Sequence, residues 1–260
     1  MGGYILCQTK KAEVPYFIEN ISTNIYSLEE LCYYLYHNLY LVDKTIINEN
    51  LCNWIQKELD LPKLAAKLRP CVGKFASAED ILYPVFKEIN YLTYEELKAL
   101  NMQIQKLDSE PVPVREKHKG DSLVENGMYV NAIHVYEKLL EREDLKDAGA
   151  ELAGEVWYNL GCAYSYLFQM EKALECFWKA CENGGGREAL KTYLICYFTI
   201  HTQEEYENRI KELGVEKELA DEVHETLVKF TKVPRQEVEP QRIDAMIEEF
   251  MKEYHRSTGS

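Results

Sequence analysis

A chain of 260 residues with 46% hydrophobic side chains is long enough for one extended array or two small domains, and too apolar to remain disordered. Its 30 Lys and Arg stand against 44 Asp and Glu, a net charge of −14, and phosphate recognition needs clustered cations. Nucleic acid and anionic membrane surfaces are therefore excluded as expected partners, and a basic peptide or protein is the easier fit.

Met1-Gly2-Gly3 opens the chain, but Leu6 stands where an N-myristoylation signal needs Ser or Thr. Tyr4-Ile5-Leu6-Cys7 and Pro15-Tyr16-Phe17-Ile18 are short apolar runs that could pair as a β-hairpin, with a helical turn over 16–25 as the alternative. Ser27 through Glu30 has the residues of a capping box, with Tyr26 placed to staple onto Leu31. A helix over about 28–42 follows, its stripe Leu28, Leu31, Leu35 and Leu39 widened by Cys32 and Val42. Asn48 caps a second helix through Leu51, Trp54, Ile55 and Leu59, and Asp60 with Pro62 suits the start of a third that ends near Pro70. Ser77–Asp80 and Thr93–Glu96 repeat the cap signature ahead of two more helices; Pro84 in the first marks either its first turn or a kink.

Ser109-Glu110-Pro111-Val112-Pro113 reads as a linker, because alternate prolines disfavour helix, and it sets a domain boundary at 110/111. Trp157, Leu160, Gly161 and Tyr164 then recur at i, i+3, i+4 and i+7, and Ala173, Phe177 and Ala180 at i, i+4 and i+7, so each set makes one helical face. Gly161 and Ala173 let two helix axes approach closely while Trp157, Leu160, Tyr164 and Phe177 fill the space around them. Gly120, Leu123, Ala132 and Tyr136 match Gly161, Tyr164, Ala173 and Phe177 at a constant offset of 41 residues, although Glu116 and Lys119 stand at the places of Trp157 and Leu160.

These residues resemble the tetratricopeptide repeat family, strongly over 154–187, less so over 113–146, and as a degenerate third repeat over 188–213. The family period is about 34 residues, so the connector Asp144–Ala153 carries an insertion. With the helices read in the Tyr-rich segment 1–110, either a domain of its own or diverged repeats, the expected fold is all-α, and the resemblance implies a short α-solenoid over 111–260 ending in capping helices within 215–256. Those helices carry the stripes Leu219, Val223, Leu227, Phe230 and Ile243, Met246, Ile247, Phe250, Tyr254, separated by Val233-Pro234. Bacterial proteins of this family are the general type resembled.

The resemblance also implies a groove lined by the first helix of each repeat, which places Lys117 and Asp121 in one repeat and Tyr158, Asn159, Cys162 and Ser165 in the next. Some family members clamp a peptide carboxylate there; Lys117 and Asn159 suit that, Asp121 opposes it, and Arg187 and Lys191 are the third-repeat candidates. The competing reading is a solvated polar face. Tyr33, Tyr36 and Tyr40, with His37 near them, are either interface anchors or core.

No nucleophile with a base, no phosphate loop and no metal-ligand pair emerges. Gly184–Gly186 follows a helix and reads as its terminator, and the eight cysteines at 7, 32, 52, 71, 162, 176, 181 and 196 are spread as buried thiols of a reducing compartment. No secretory signal or bilayer-length apolar run is recognised, so the cytoplasm is the expected location. The expected function is a non-catalytic protein-interaction module for an unknown peptide or protein partner, with no cofactor and no metal. An enzyme sited in 1–110 is the alternative, and self-association through acidic helices the third reading.

Overall fold

The helices that begin at Leu28, Glu49, Tyr94 and Gln203 each start at a residue whose side chain caps them. A computed structural model describes residues 9–42, 46–73, 79–231 and 242–258, in two compact units, 1–126 and 127–260. The readings for Tyr4–Cys7, Ser77 and Val233-Pro234 lie outside the described residues. Among the described residues the architecture is all-α apart from one two-stranded ribbon.

In the first unit, β1 (Tyr16–Ile18) pairs antiparallel with β2 (Thr23–Ile25), Tyr16 opposite Ile25, through a 3-10 turn at Glu19–Ile21. The strand expected at 16–18 forms with its partner at 23–25, and of the alternative, a helical turn over 16–25, only the 3-10 turn at 19–21 is present. Trp54 Nε1 donates to the Val14 carbonyl at 2.9 Å and ties the ribbon to α2 (Glu49–Lys57), whose cap Asn48 accepts from the Leu51 amide at 2.9 Å.

Helix α1 (Leu28–His37) starts at Ser27, whose hydroxyl accepts from the Glu30 amide at 3.2 Å, and buries Leu28, Leu31, Cys32 and Leu35. It stops well short of residue 42. Both the backbone and the side-chain amide of Asn38 donate to the Tyr34 carbonyl at 3.0 Å, and the chain continues as a 3-10 turn, Leu39–Leu41. Leu41, rather than Leu39, is then the buried residue of that turn.

Helix α3 (Pro62–Leu68) carries Pro62 in its first turn, and α4 (Glu79–Glu88) holds Pro84 within the helix. Helix α5 (Tyr94–Ser109) has a complete Thr93/Glu96 capping box. Pro113 does not break structure: α6 (Val112–Glu125) begins at Val112 with Pro113 in its first turn, so the interruption is confined to Glu110-Pro111. Helix α6 packs on the 39–41 turn, and the first compact unit runs through it to Asn126.

The second unit holds α7 (Tyr129–Leu140), α8 (Glu143–Asp147), α9 (Ala150–Tyr166), α10 (Met170–Glu182), α11 (Gly186–Ile200), α12 (Gln203–Glu212), α13 (Lys217–Thr231) and α14 (Ile243–Thr258). Helix α9 packs against α7 and α10, and α10 against α11. The 41-residue offset reappears in the element boundaries: α6 ends at Glu125 and α9 at Tyr166, while α7 begins at Tyr129 and α10 at Met170. The insertion in the connector is α8, which buries Leu145. Helix α13 packs on α11 and buries Leu219, Val223 and Leu227. Helix α14 does not join it: α14 packs on α7, with Ile243, Ile247, Phe250 and Tyr254 exposed.

Candidate functional site

The α9/α10 pair is held by small residues at two levels. A methyl added at Gly161 would stand 2.7 Å from a ring carbon of Phe177, so this glycine makes room for an aromatic ring. One added at Gly154 would stand 2.5 Å from the Asn183 carbonyl oxygen, a second close approach that the sequence reading missed. Leu160, Ala173, Phe177 and Ala180 are buried, and Tyr164 is buried with its hydroxyl donating to Glu137 at 2.6 Å. Trp157 is only half-buried, with the Lys179 ammonium 4.3 Å above its ring, so it closes an outer cleft instead of wedging the crossing.

On the opposite side of α9 lies a groove of about 490 Å³. Helix α9 contributes Cys162, Ser165 and Tyr166, the following turn Phe168, α10 Met170 and Phe177, and α11 Thr192, Ile195, Cys196 and Thr199. Among the described residues no charged side chain lines it. Ser165 turns its hydroxyl inward to the Gly161 carbonyl at 2.9 Å, and the Tyr158 and Thr192 hydroxyls meet at 3.2 Å, linking α9 to α11. Burial pushes the Cys162 and Cys196 thiols up to about 11, so both are neutral near pH 7 and act as apolar lining.

Of the residues expected in the groove, Cys162 and Ser165 line it, Tyr158 stands beside it, and Asn159 is half-buried on α9 outside the lining. Lys117 and Asp121 belong to the first unit, where they pair with each other at 3.3 Å, His118 standing 3.5 Å from the same Asp121 oxygen. Arg187 and Lys191 both engage Glu222, at 2.6 and 3.7 Å, and Arg187 holds that carboxyl below the usual range. These contacts give no basis for a carboxylate clamp.

The groove rim was not legible from the repeat motif. Tyr166 stacks on Tyr129 with centroids 4.4 Å apart, and Phe168 is 88% exposed at a φ of 56°. One offset earlier the same turn position is Gly127, at a φ of 74°. A left-handed residue that is normally glycine is here a solvent-facing aromatic, which is the signal in the sequence that could have marked the rim.

In the first unit, Tyr36 and Tyr40 border a cavity of about 370 Å³ with His37, Gln103, Lys106 and Ser122. Tyr33 lies outside it, 60% exposed, its ring 4.3 Å from that of His37. The Tyr40 hydroxyl donates to Glu110 at 3.0 Å and its ring packs on His118 at 4.8 Å; burial first, then Glu110, pushes the phenol up to about 12. Among the described residues no group of three or more His, Cys, Asp or Glu is placed to hold a metal ion, and no helix is long and apolar enough to cross a membrane.

Residues 154–183 match the family model described as tetratricopeptide repeat, which is the span of α9 from Gly154 through the end of α10. No curated protein and no solved structure matches the chain.

Proposed function

We propose, from the tetratricopeptide repeat at 154–183, that the chain is a non-catalytic protein-interaction module whose α9–α10–α11 groove receives the apolar face of a partner helix or peptide. The observation that carries this reading is the lining: about 490 Å³ bordered by Phe168, Met170 and Ile195, with no charge among the described residues of its walls. Such a mostly apolar surface loses little when an apolar helix face excludes water from it, whereas a carboxylate would meet no cation among the described lining residues. The spread of free thiols, Cys32 to Cys196, fits a cytoplasmic setting.

The test compares affinity capture by the wild-type chain and by Thr199→Arg, which plants a charge at an exposed groove position. Partners held by the groove are lost from the variant; a capture profile identical in both removes the groove as the binding surface. An enzyme in the first unit is the second reading, favoured by the cavity in which Tyr36, His37, Tyr40, Gln103, Lys106 and Ser122 converge. Small-molecule binding that shifts the Tyr36 or His37 NMR signals would support it, and unchanged signals across a metabolite panel would remove it.

A further inference from the structure

We propose that the groove is filled by α14 of a second copy of this chain, the two copies exchanging helices reciprocally; this rests on the reading of the groove as a helix-binding site. Among the described residues of 127–260, every exposed large hydrophobic side chain lies either on the groove rim, at Tyr166 and Phe168, or on α14, at Ile243, Ile247, Phe250, Met251 and Tyr254. Two solvent-exposed apolar surfaces, one concave and one convex, thus belong to the same chain.

Their chemistry matches. Ile243, Ile247, Phe250 and Tyr254 follow a 4-3-4 spacing, which draws them into one stripe along α14 about 16 Å long. Asp244, Glu248, Glu249 and Glu253 flank that stripe without entering it, as the groove walls are likewise free of charge. Among the described residues, α14 packs on α7 with its stripe exposed, and the groove stays open. A one-way contact between copies would leave a further helix and groove open and grow into chains; reciprocal exchange closes a two-fold dimer and doubles the buried area.

Each copy carries a net charge of −14, so long-range repulsion opposes pairing. Salt therefore strengthens the dimer, opposite to its effect on a complex with a basic partner.

Sedimentation of the full chain across concentration, at low and high salt, tests this with Phe250→Asp and Thr199→Arg, both at exposed positions. Circular dichroism checks the fold, with Ile247→Lys as the substitute if Phe250→Asp does not fold. The wild type is expected at twice the chain mass, more so in high salt, and each variant raises the dissociation constant at least about tenfold. Mixing the two variants restores a heterodimer, because one intact helix then meets one intact groove. A labelled peptide of residues 242–258 binds the Phe250→Asp chain and not Thr199→Arg. A wild type monomeric at every concentration, a dimer indifferent to both variants, or a mixture that stays monomeric overturns the proposal. If the chain is monomeric and ignores the peptide while captured proteins are still lost with Thr199→Arg, the groove reading stands and only the second copy is removed.

Discussion

Residue-scale evidence is sharpest where a backbone position and a side chain disagree. Phe168 occupies a left-handed turn position at a φ of 56° and is 88% exposed, so its ring contributes little to the fold while its backbone is unfavourable. Phe168→Gly is expected to keep or raise stability by up to about 1 kcal/mol while lowering groove affinity, read by thermal melting and by titration with the 242–258 peptide. Gly161 makes the opposite case. Alanine favours a helix interior by about 1 kcal/mol, but its methyl would sit 2.7 Å from the ring of Phe177, which is 2% exposed. The clash decides the sign: Gly161→Ala should destabilise by about 1–3 kcal/mol, and adding Phe177→Leu should recover part of that loss in a double-mutant cycle. Gly154→Ala meets the Asn183 carbonyl, a backbone atom that cannot rotate away, and should cost more. The motif made Gly161 legible because its spacing is local. Gly154 was hidden because its neighbour, Asn183, is distant in sequence, and the groove walls at Ile195 and Thr199 were hidden because α11 carries no matching signature.

At the scale of elements, the sequence speaks through caps more than through stripes. Thr93/Glu96 and Thr202/Glu205 each form a reciprocal box, each Glu carboxylate accepting from the threonine amide at 2.8 Å. Thr→Ala at either position should cost about 1 kcal/mol. Those hydrogen bonds hold the Glu96 and Glu205 carboxyls below the ordinary carboxylate range. A depressed folded value means the caps contribute fully above the unfolded glutamate pKa, near 4.3, and lose that contribution as pH falls through the lower folded value. Amide hydrogen exchange at the starts of α5 and α12 should therefore rise in acid before that of α9, which lacks a side-chain cap; equal protection at all three starts would contradict it. Helix ends are less readable. The apolar run through Leu41 continues the pattern of α1, and only the Asn38 amide bonding back to Tyr34 stops it. The strand at Thr23–Ile25 was illegible for a related reason: three residues show no periodicity, and their pairing depends on Tyr16–Ile18 across a turn.

At the scale of the whole molecule, the placement of α6 sets the division of the chain. Its sequence matches the first helix of a repeat, with Gly120 and Leu123 at the positions of Gly161 and Tyr164, and the prolines at 111 and 113 invite a cut before it. Its contacts argue for the first unit. Helix α6 packs on the 39–41 turn, His118 lies against the Tyr40 ring at 4.8 Å, and the Asn126 amide donates to Asn38 at 2.7 Å. A fragment ending at residue 110 leaves the Tyr40 ring and the Asn38 oxygen without these partners, while one ending at 126 keeps them. The 1–126 fragment should melt cooperatively and several degrees above 1–110, since loss of a few kcal/mol moves a domain of this size by that much. Fragment 127–260 should retain the helical circular dichroism signal of α7 through α14 without α6. If instead 111–260 is folded and 127–260 is not, α6 functions as the first helix of the array, and the repeat register outweighs the contacts that α6 makes with the 39–41 turn.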